Sequence, residues 1–402
     1  MKRLVSSGVL GLALCGSATA ATPVIDPGYV QLLQRIVEIN TETRNVAGLA
    51  QARDVLVPAF EVLGLSATRQ PLADTGREVL RFDTADGAPR VLLVGHLDTV
   101  FPKSGGFQHF VDDGERLAGP GVIDMKGGLV LMLNVLAQLK AAGRLQHVRV
   151  VINDDEEIGS PHSKKTLQAL AKDIPYGLVF EPGLEDGAVV SSQSGVRWIK
   201  LTSTGKAAHA GLEPENGIDA CLDLARKIAR ISALAQPAKG LTLNPGVIEG
   251  GTKPNVVCDK ASVTFDVRFR SIADWDRTYA AVGAIAKQSD VYNDRLQLGT
   301  RTEIVQLAEL PPLPVERTAA LAALAEASAR AVGQPFRAQA VGYGSDGNNL
   351  SETGIQLLVG VGPYGGGMHS DKEHMLKTAY RDRLALLTHL LQNLTHPEGE
   401  MP

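Results

Sequence analysis

Long apolar runs are scarce in this chain. Beyond its first twenty residues no segment offers 18 uninterrupted apolar residues, which excludes a bilayer-spanning helix in the body of the sequence. Charge of one sign is not in excess: 40 Lys and Arg stand against 44 Asp and Glu, a net charge of −4. That balance leaves no electrostatic case for a nucleic-acid partner, and no Lys/Arg block exists to hold the protein on an anionic membrane. Cysteine is sparse, three in 402 residues, and a chain of this length does not need a disulfide staple. With 42 Gly and 21 Pro the composition is neither collagen-like nor of low complexity. What is present is an ordinary apolar fraction, 44%, on a chain long enough for two or three domains with a proper core.

The first twenty residues have the layout of an export signal. Lys2 and Arg3 form a positive start, Leu4 to Leu14 an apolar stretch, and Ala18-Thr19-Ala20 a small-x-small cleavage site. The apolar stretch is too short to cross a hydrocarbon core, so export to the periplasm or medium is expected, without stable membrane insertion. Leu12-Ala13-Leu14-Cys15 is a rival lipidation box, but the bulky Leu14 directly before Cys15 argues against it. Cys221 and Cys258 remain. They form either one disulfide or two small buried thiols, and Cys221 lies in a helical pattern of Ala and Leu.

Several apolar runs end in polar residues and lead into helical patterns. Val91 to Val94 ends at Gly95-His96-Leu97-Asp98, Val148 to Ile152 at Asn153-Asp154-Asp155-Glu156-Glu157, and Leu178 to Phe180 at Glu181-Pro182. Ile355 to Val361 leads into a Gly-rich loop and His369, and a helix is expected over Gly127 to Ala142. Continuous apolar strands alternating with helices predict an α/β domain whose mainly parallel sheet is covered by helices on both faces. The stretch 196–310 differs. It reads strand (Val196 to Ser203), helix (Ile218 to Leu234), strand (Leu241 to Glu249), strand (Ala261 to Arg270), helix (Ile272 to Gln288) and strand (Leu296 to Val305). Val263, Phe265, Val267 and Phe269 alternate with Thr264, Asp266, Arg268 and Arg270, as in a half-buried strand. A β-α-β-β-α-β order predicts an inserted ferredoxin-like α+β domain. The expected organisation is therefore a leader (1–20), an α/β domain in two parts (21–195 and 311–395) interrupted by the insertion (196–310), and a tail (396–402).

In open α/β sheets the functional crevice lies at the carboxyl ends of the strands. Here those ends, with one loop, present His96, Asp98, Glu156, Glu157, Glu181 and His369. Histidines and carboxylates without cysteine suit Zn²⁺ first, with Mn²⁺ or Co²⁺ as substitutes. A lone strand-end carboxylate usually serves as a helix cap or a solvated end; convergence is what distinguishes this set.

The chain resembles a family of co-catalytic zinc amidohydrolases and exopeptidases that includes glutamate carboxypeptidases, aminoacylases, acetylornithine deacetylase and succinyl-diaminopimelate desuccinylase. The resemblance rests on Gly95-His96-Leu97-Asp98-Thr99-Val100, on 119–128 (GPGVIDMKGG), on Asp155-Glu156-Glu157-Ile158-Gly159-Ser160, on Phe180-Glu181-Pro182 and on Met368-His369-Ser370-Asp371. These five motifs span most of the mature chain in the family's order, and the insertion falls where the family has its lid. The exported glutamate carboxypeptidase branch is the nearest in character.

That resemblance implies two zinc ions per chain. His96 and Glu181 would hold one, Glu157 and His369 the other, with Asp124 bridging. Asp98 would orient the His96 imidazole, and Glu156 would act as general base and then acid. Adjacent residues of an extended strand point oppositely, so Glu156 and Glu157 require an irregular loop to share a target. The Asp124–Met125 bond is a cis peptide in relatives. His209, within Gly205-Lys206-Ala207-Ala208-His209-Ala210-Gly211, resembles a lid histidine that stabilises an oxyanion. Asn255 and Arg268 match lid positions that meet a substrate carboxylate, for which Arg offers a planar fork; Arg268 otherwise reads as a surface charge beside Asp266 and Arg270. Gly344-Ser345-Asp346-Gly347 resembles a loop near the cleft, or a simple turn. Gly367, in the run 365–367, would give backbone room for a substrate carboxylate. The expected protein is an exported metallocarboxypeptidase releasing a C-terminal amino acid, glutamate first, from small peptides or N-acyl amino acids, and pairing as a homodimer through its lid. An aminoacylase, dipeptidase or deacylase of the same family is the alternative, and a catalytically silent metal-dependent binding protein the alternative of a different class; an intact Glu156 argues against the latter.

Overall fold

Residues 25–396 are described by the computed structural model; the expected leader, with Cys15, and the tail beyond His396 lie outside them. The apolar runs assemble into one eight-stranded sheet. Its spatial order is Ser66–Leu72, Arg77–Asp83, Val148–Asn153, Val91–His96, Tyr176–Val179, Gln356–Val359, Val189–Gln193 and Ala338–Val341. The four strands from Val148–Asn153 to Gln356–Val359 are mutually parallel, so their carboxyl ends share one rim. Antiparallel pairing appears on either side of them, where Arg77–Asp83 meets Val148–Asn153 and Gln356–Val359 meets Val189–Gln193.

A strand covered on both faces must be apolar at nearly every position, and Val91–His96 is buried along its whole length. Leu93 points into a core shared with helices Val46–Glu61, Lys126–Ala141 and Lys377–Thr395. Leu92 and Val94 point the other way, into a core with Leu167 and Leu170 of helix Lys164–Ala171.

The chain between Gly195 and Leu310 builds the second unit. Its strands lie in the order Thr242–Gly250, Lys260–Phe269, Gly195–Thr204, Arg301–Leu310, all antiparallel, with helices Ala220–Ser232 and Ile272–Ala286 as crossovers. This is the ferredoxin-like arrangement. Val263, Phe265, Val267 and Phe269 are fully buried against Leu224, Ile231, Trp275 and Val282, a core separate from that of the large sheet. Cys221 and Cys258 form a disulfide, which decides between the two readings open for them.

One boundary moved. The last strand of the insertion, expected over Leu296 to Val305, begins at Arg301 and runs to Leu310. Tyr292–Asn293 and Leu298–Gly299 instead pair as a short hairpin. The Asn293 side chain accepts from the Leu296 amide, and Gln297 takes a left-handed φ of 53°, so the chain turns there before pairing Arg301 with Thr204.

A small sheet had no counterpart in the sequence reading. Gly365–Gly366, His374–Leu376, Arg116–Ala118 and Val111–Asp112 pair in that order, setting the His369 loop beside the loop that ends at Asp124.

Because the insertion has its own core, Phe265→Ala should remove about 3–5 kcal/mol from that unit. Denaturant unfolding followed by Trp198 and Trp275 fluorescence checks this, and an unchanged midpoint would contradict it.

Candidate metal centre

His96 closes the central strand Val91–His96, and Glu181 follows strand Tyr176–Val179 two residues on. Parallel register places both at the same rim. Glu156 and Glu157 lie in a single 3₁₀ turn, Glu156–Ile158, the irregular segment their shared target requires. Asp124 ends the loop before helix Lys126–Ala141, and its bond to Met125 is cis. His369 arrives from the small sheet with φ 62°.

These residues gather into two groups. One ligand atom from each of His96, Glu156 and Glu181 lies within 4.8 Å of the others, and the same holds for Asp124, Glu157 and His369. Asp124 spans the two: one carboxylate oxygen is 3.2 Å from His96 Nε2, the other 3.0 Å from His369 Nε2. His96 Nε2 is 3.6 Å from Glu181, and His369 Nε2 is 3.4 Å from Glu157. Glu156 Oε2 is 3.9 Å from His96 Nε2. One oxygen each of Glu157 and Glu181 is buried without a hydrogen-bond partner. Buried acceptors left open toward two histidines fit divalent cations with N/O ligands.

Asp98 organises this arrangement. Its carboxylate lies 3.4 Å from His96 Nδ1 and accepts from the Glu156 amide at 3.1 Å, the Glu157 amide at 3.2 Å and the Thr43 hydroxyl at 2.8 Å. Behind it, Arg77 donates to the Thr43 carbonyl and, with Arg53, pairs with Asp154. Asp346, at the start of the short helix Asp346–Leu350, accepts from Asn153 at 2.7 Å and from Ser160, bracing the Glu156–Glu157 turn from below.

Without cations the site is electrostatically crowded. Burial and the Asp124 charge push Glu157 up to about 7. Burial, opposed by His96 and reinforced by Asp124, pushes Glu181 up to about 7 as well. Burial together with Glu181 raises Glu156 well above the usual carboxyl range. Burial opposes charge on His96, but Glu181, Asp124 and Asp98 outweigh it and hold its pKa well above the ordinary histidine value. Hydrogen bonds to Asp124 and Glu157 raise His369 to about 10. Burial works against an ionised Asp124, yet bonds from His369 and His96 hold it well below the usual range.

The residues expected on the lid lie in the inserted unit and join neither ligand group. His209 and Asn255 are exposed on one ribbon, joined by the bond from the Ala210 amide to the Asn255 carbonyl. His209 Nδ1 accepts from the Gly211 and Leu212 amides, which leaves the proton on Nε2 and makes that atom an outward donor. Arg268 clasps Asp266 with both arms of its guanidinium, at 2.7 and 2.8 Å, and its remaining nitrogen reaches the Gly342 carbonyl at 3.4 Å. Gly367 takes φ +71°, and a Cβ there would stand 2.4 Å from the Lys372 carbonyl, so glycine is what lets this loop close. Among the described residues, no hydrogen bond or ion pair links His209, Asn255 or Arg268 to the clustered ligands.

The sequence reading passed over Thr43, the Arg53–Asp154–Arg77 group and Glu373. Of these only Glu373 carried a local signal, an acidic residue shortly after His369.

An α/β sheet with two candidate ligand groups on its carboxyl rim and an inserted ferredoxin-like unit has the build of a metal-dependent protein. A family profile described as Peptidase family M20/M25/M40 matches residues 92–393, and the chain belongs to that family. It is 28% identical over 376 residues to carboxypeptidase G2 of Pseudomonas sp. (strain RS-16), covering 92% of this chain and 89% of that protein. Among solved structures it is similar to a tripeptidase from Staphylococcus aureus subsp. aureus Mu50 (TM-score 0.79, 23% identity, 92% of this chain, 99% of that one). An M20 family metallo-carboxypeptidase from Sulfolobus solfataricus is also similar (TM-score 0.71, 15% identity, 91% and 99% coverage). The two structural likenesses concern the fold. The family establishes an enzyme of the peptidase and amidohydrolase type.

A ligating imidazole must be neutral and a ligating carboxylate ionised. In the metal-free protein the raised pKa values of His96 and His369 favour protonated rings, and those of Glu157 and Glu181 favour carboxyls still carrying protons near neutral pH. Adding Zn²⁺ to metal-free protein at pH 7 should therefore release at least about two protons per chain, and affinity should fall as pH drops from 8 to 6. Titration in weak buffer with a pH indicator measures both; pH-independent binding without proton release would contradict the assignment.

Proposed function

We propose that this chain is an exported di-zinc metallocarboxypeptidase that releases a C-terminal amino acid, glutamate foremost, from small peptides or N-acyl amino acids. The observation that carries the two-metal part is Asp124, with one oxygen toward each histidine. The similarity to carboxypeptidase G2 over nine-tenths of the chain favours the carboxypeptidase branch. The layout of residues 1–20 supports export.

Bound ions supply Lewis acidity toward the scissile carbonyl and make water acidic enough to react near neutral pH. His96 and Glu181 would hold one, Glu157 and His369 the other, and Asp124 would serve both; Mn²⁺ or Co²⁺ would serve as substitutes. Glu156 takes the proton of the attacking water and delivers it to the leaving nitrogen. Asp98 keeps the His96 ring turned so that Nε2 faces the centre. Arg268 and Asn255 receive the free carboxylate of the substrate, which competes with Asp266 for the Arg268 fork, and Gly367 gives it backbone room. The lid forms a homodimer. Its edge strand Thr242–Gly250 carries exposed Val247 and Ile248, and an open edge of this kind favours pairing with a second copy. Across that interface His209 of one subunit directs its Nε2 proton at the developing oxyanion in the other.

Release assays on N-acyl and dipeptide substrates with different C-terminal residues test the specificity. Glutamate substrates should lead, and capping the terminal carboxylate as an amide should slow cleavage by roughly ten- to hundredfold. Equal rates on capped substrates would point to a general amidase, and preference for another side chain to a dipeptidase, aminoacylase or deacylase.

Subunit mixing tests the shared site. Glu156→Ala should keep its metals and lose at least about 100-fold in kcat, and His209→Ala should be severely impaired as well. Mixed dimers of the two should recover activity, because one site then combines an intact Glu156 with an intact His209. Failure of verified mixed dimers to recover would reject trans action.

A further inference from the structure

We propose that Glu373 is a positioning residue for the metal pair, holding the Asp124 backbone so that the two oxygens of that side chain face the two histidines. The proposal rests on the two-metal reading above. Glu373 is fully buried, and its Oε1 accepts from the Ile123 amide at 3.0 Å and the Asp124 amide at 3.3 Å. Its own carbonyl accepts from the Gly119 amide, at the other end of the same loop. Lys126 donates to the Pro120 carbonyl, so the segment 119–124 is gripped from both sides.

The grip comes from the loop that also delivers His369. One short segment thus contacts Asp124 twice: His369 Nε2 meets its carboxylate at 3.0 Å, and Glu373 meets its amide. Fixing the amide fixes the Cα–Cβ bond from which the Asp124 carboxylate reaches the two histidines, and limits the rotamers that reach both. Burial, with Asp124 and Glu157 adding to it, pushes Glu373 up to about 8, while the Ile123 and Asp124 amides work the other way. Protonated or ionised, the carboxyl keeps an oxygen that can accept from the two amides. Its second oxygen has no hydrogen-bond partner, so the two backbone amides make the only hydrogen bonds to its carboxyl among the described residues.

Loss of this grip disturbs Asp124, which serves both sites, and also the loop that carries His369, so the site built from Glu157 and His369 should weaken more than the site built from His96 and Glu181. Metal-depleted wild type, Glu373→Ala and Glu373→Gln would be titrated with Zn²⁺ against a chromogenic chelator, and with Co²⁺ while its visible absorption is recorded. Wild type should bind two ions. Glu373→Ala should bind one as wild type does and the second about ten- to hundredfold more weakly. Glu373→Gln keeps an oxygen acceptor and should restore most of the second affinity. If Glu373→Ala does not fold, Glu373→Met against Glu373→Gln makes the same comparison of acceptor with no acceptor.

Two wild-type affinities in the acceptor-free variant, equal weakening at both sites, or a Gln variant no better than Ala or Met would each overturn the proposal. A wild type that binds fewer than two ions fails the two-metal reading first, and this inference with it.

Discussion

A single buried carboxylate, that of Asp98, holds the centre together. An ionised carboxylate has about four acceptor positions, and here they meet the His96 ring, the Thr43 hydroxyl and the successive amides of Glu156 and Glu157. Two consecutive amides converging on one acceptor cannot occur in an extended strand, so the turn at Glu156–Ile158 and the common aim of its two carboxylates follow from this contact. Asp98 is fully buried, and the hydrogen bonds its carboxyl oxygens accept come from the Thr43 hydroxyl and the two amides.

Around Asp98 the support is layered by charge. Arg53 and Arg77 neutralise Asp154 beneath the turn, and Arg77 also fixes the Thr43 carbonyl, so the residue that donates to Asp98 is itself held by a cation. Asp346 and Asn153 close the other side. The lid is tied to this platform more lightly: Arg268 and Arg270 reach the Gly342 and Val341 carbonyls, while the lid's apolar residues pack among themselves.

Much of this could be read from the chain. Apolar runs ending in His96, Asn153-Asp154-Asp155-Glu156-Glu157 and Glu181 predicted the central strands and their shared rim, because a strand buried on both faces has to stay apolar until it leaves the sheet. Strict alternation from Val263 to Phe269 predicted the buried face of the lid. The misplaced strand at Leu296 shows the limit of the method. Apolar alternation continues through Leu296 and Leu298 into the strand, while the hairpin turn there depends on one Asn side chain and one left-handed residue.

The sequence by itself determined which residues end the strands and which faces are buried, since periodicity records burial within a segment. Tertiary structure alone decided how those ends meet. The small sheet that brings His369 to Asp124, the bond from Glu373 to an amide 249 residues away and the convergence of Glu156 and Glu157 on Asp98 join segments with no periodic relation to one another. Contacts of that kind arise from the packing of elements already formed, and a hydrogen bond between distant loops leaves no pattern in either of them.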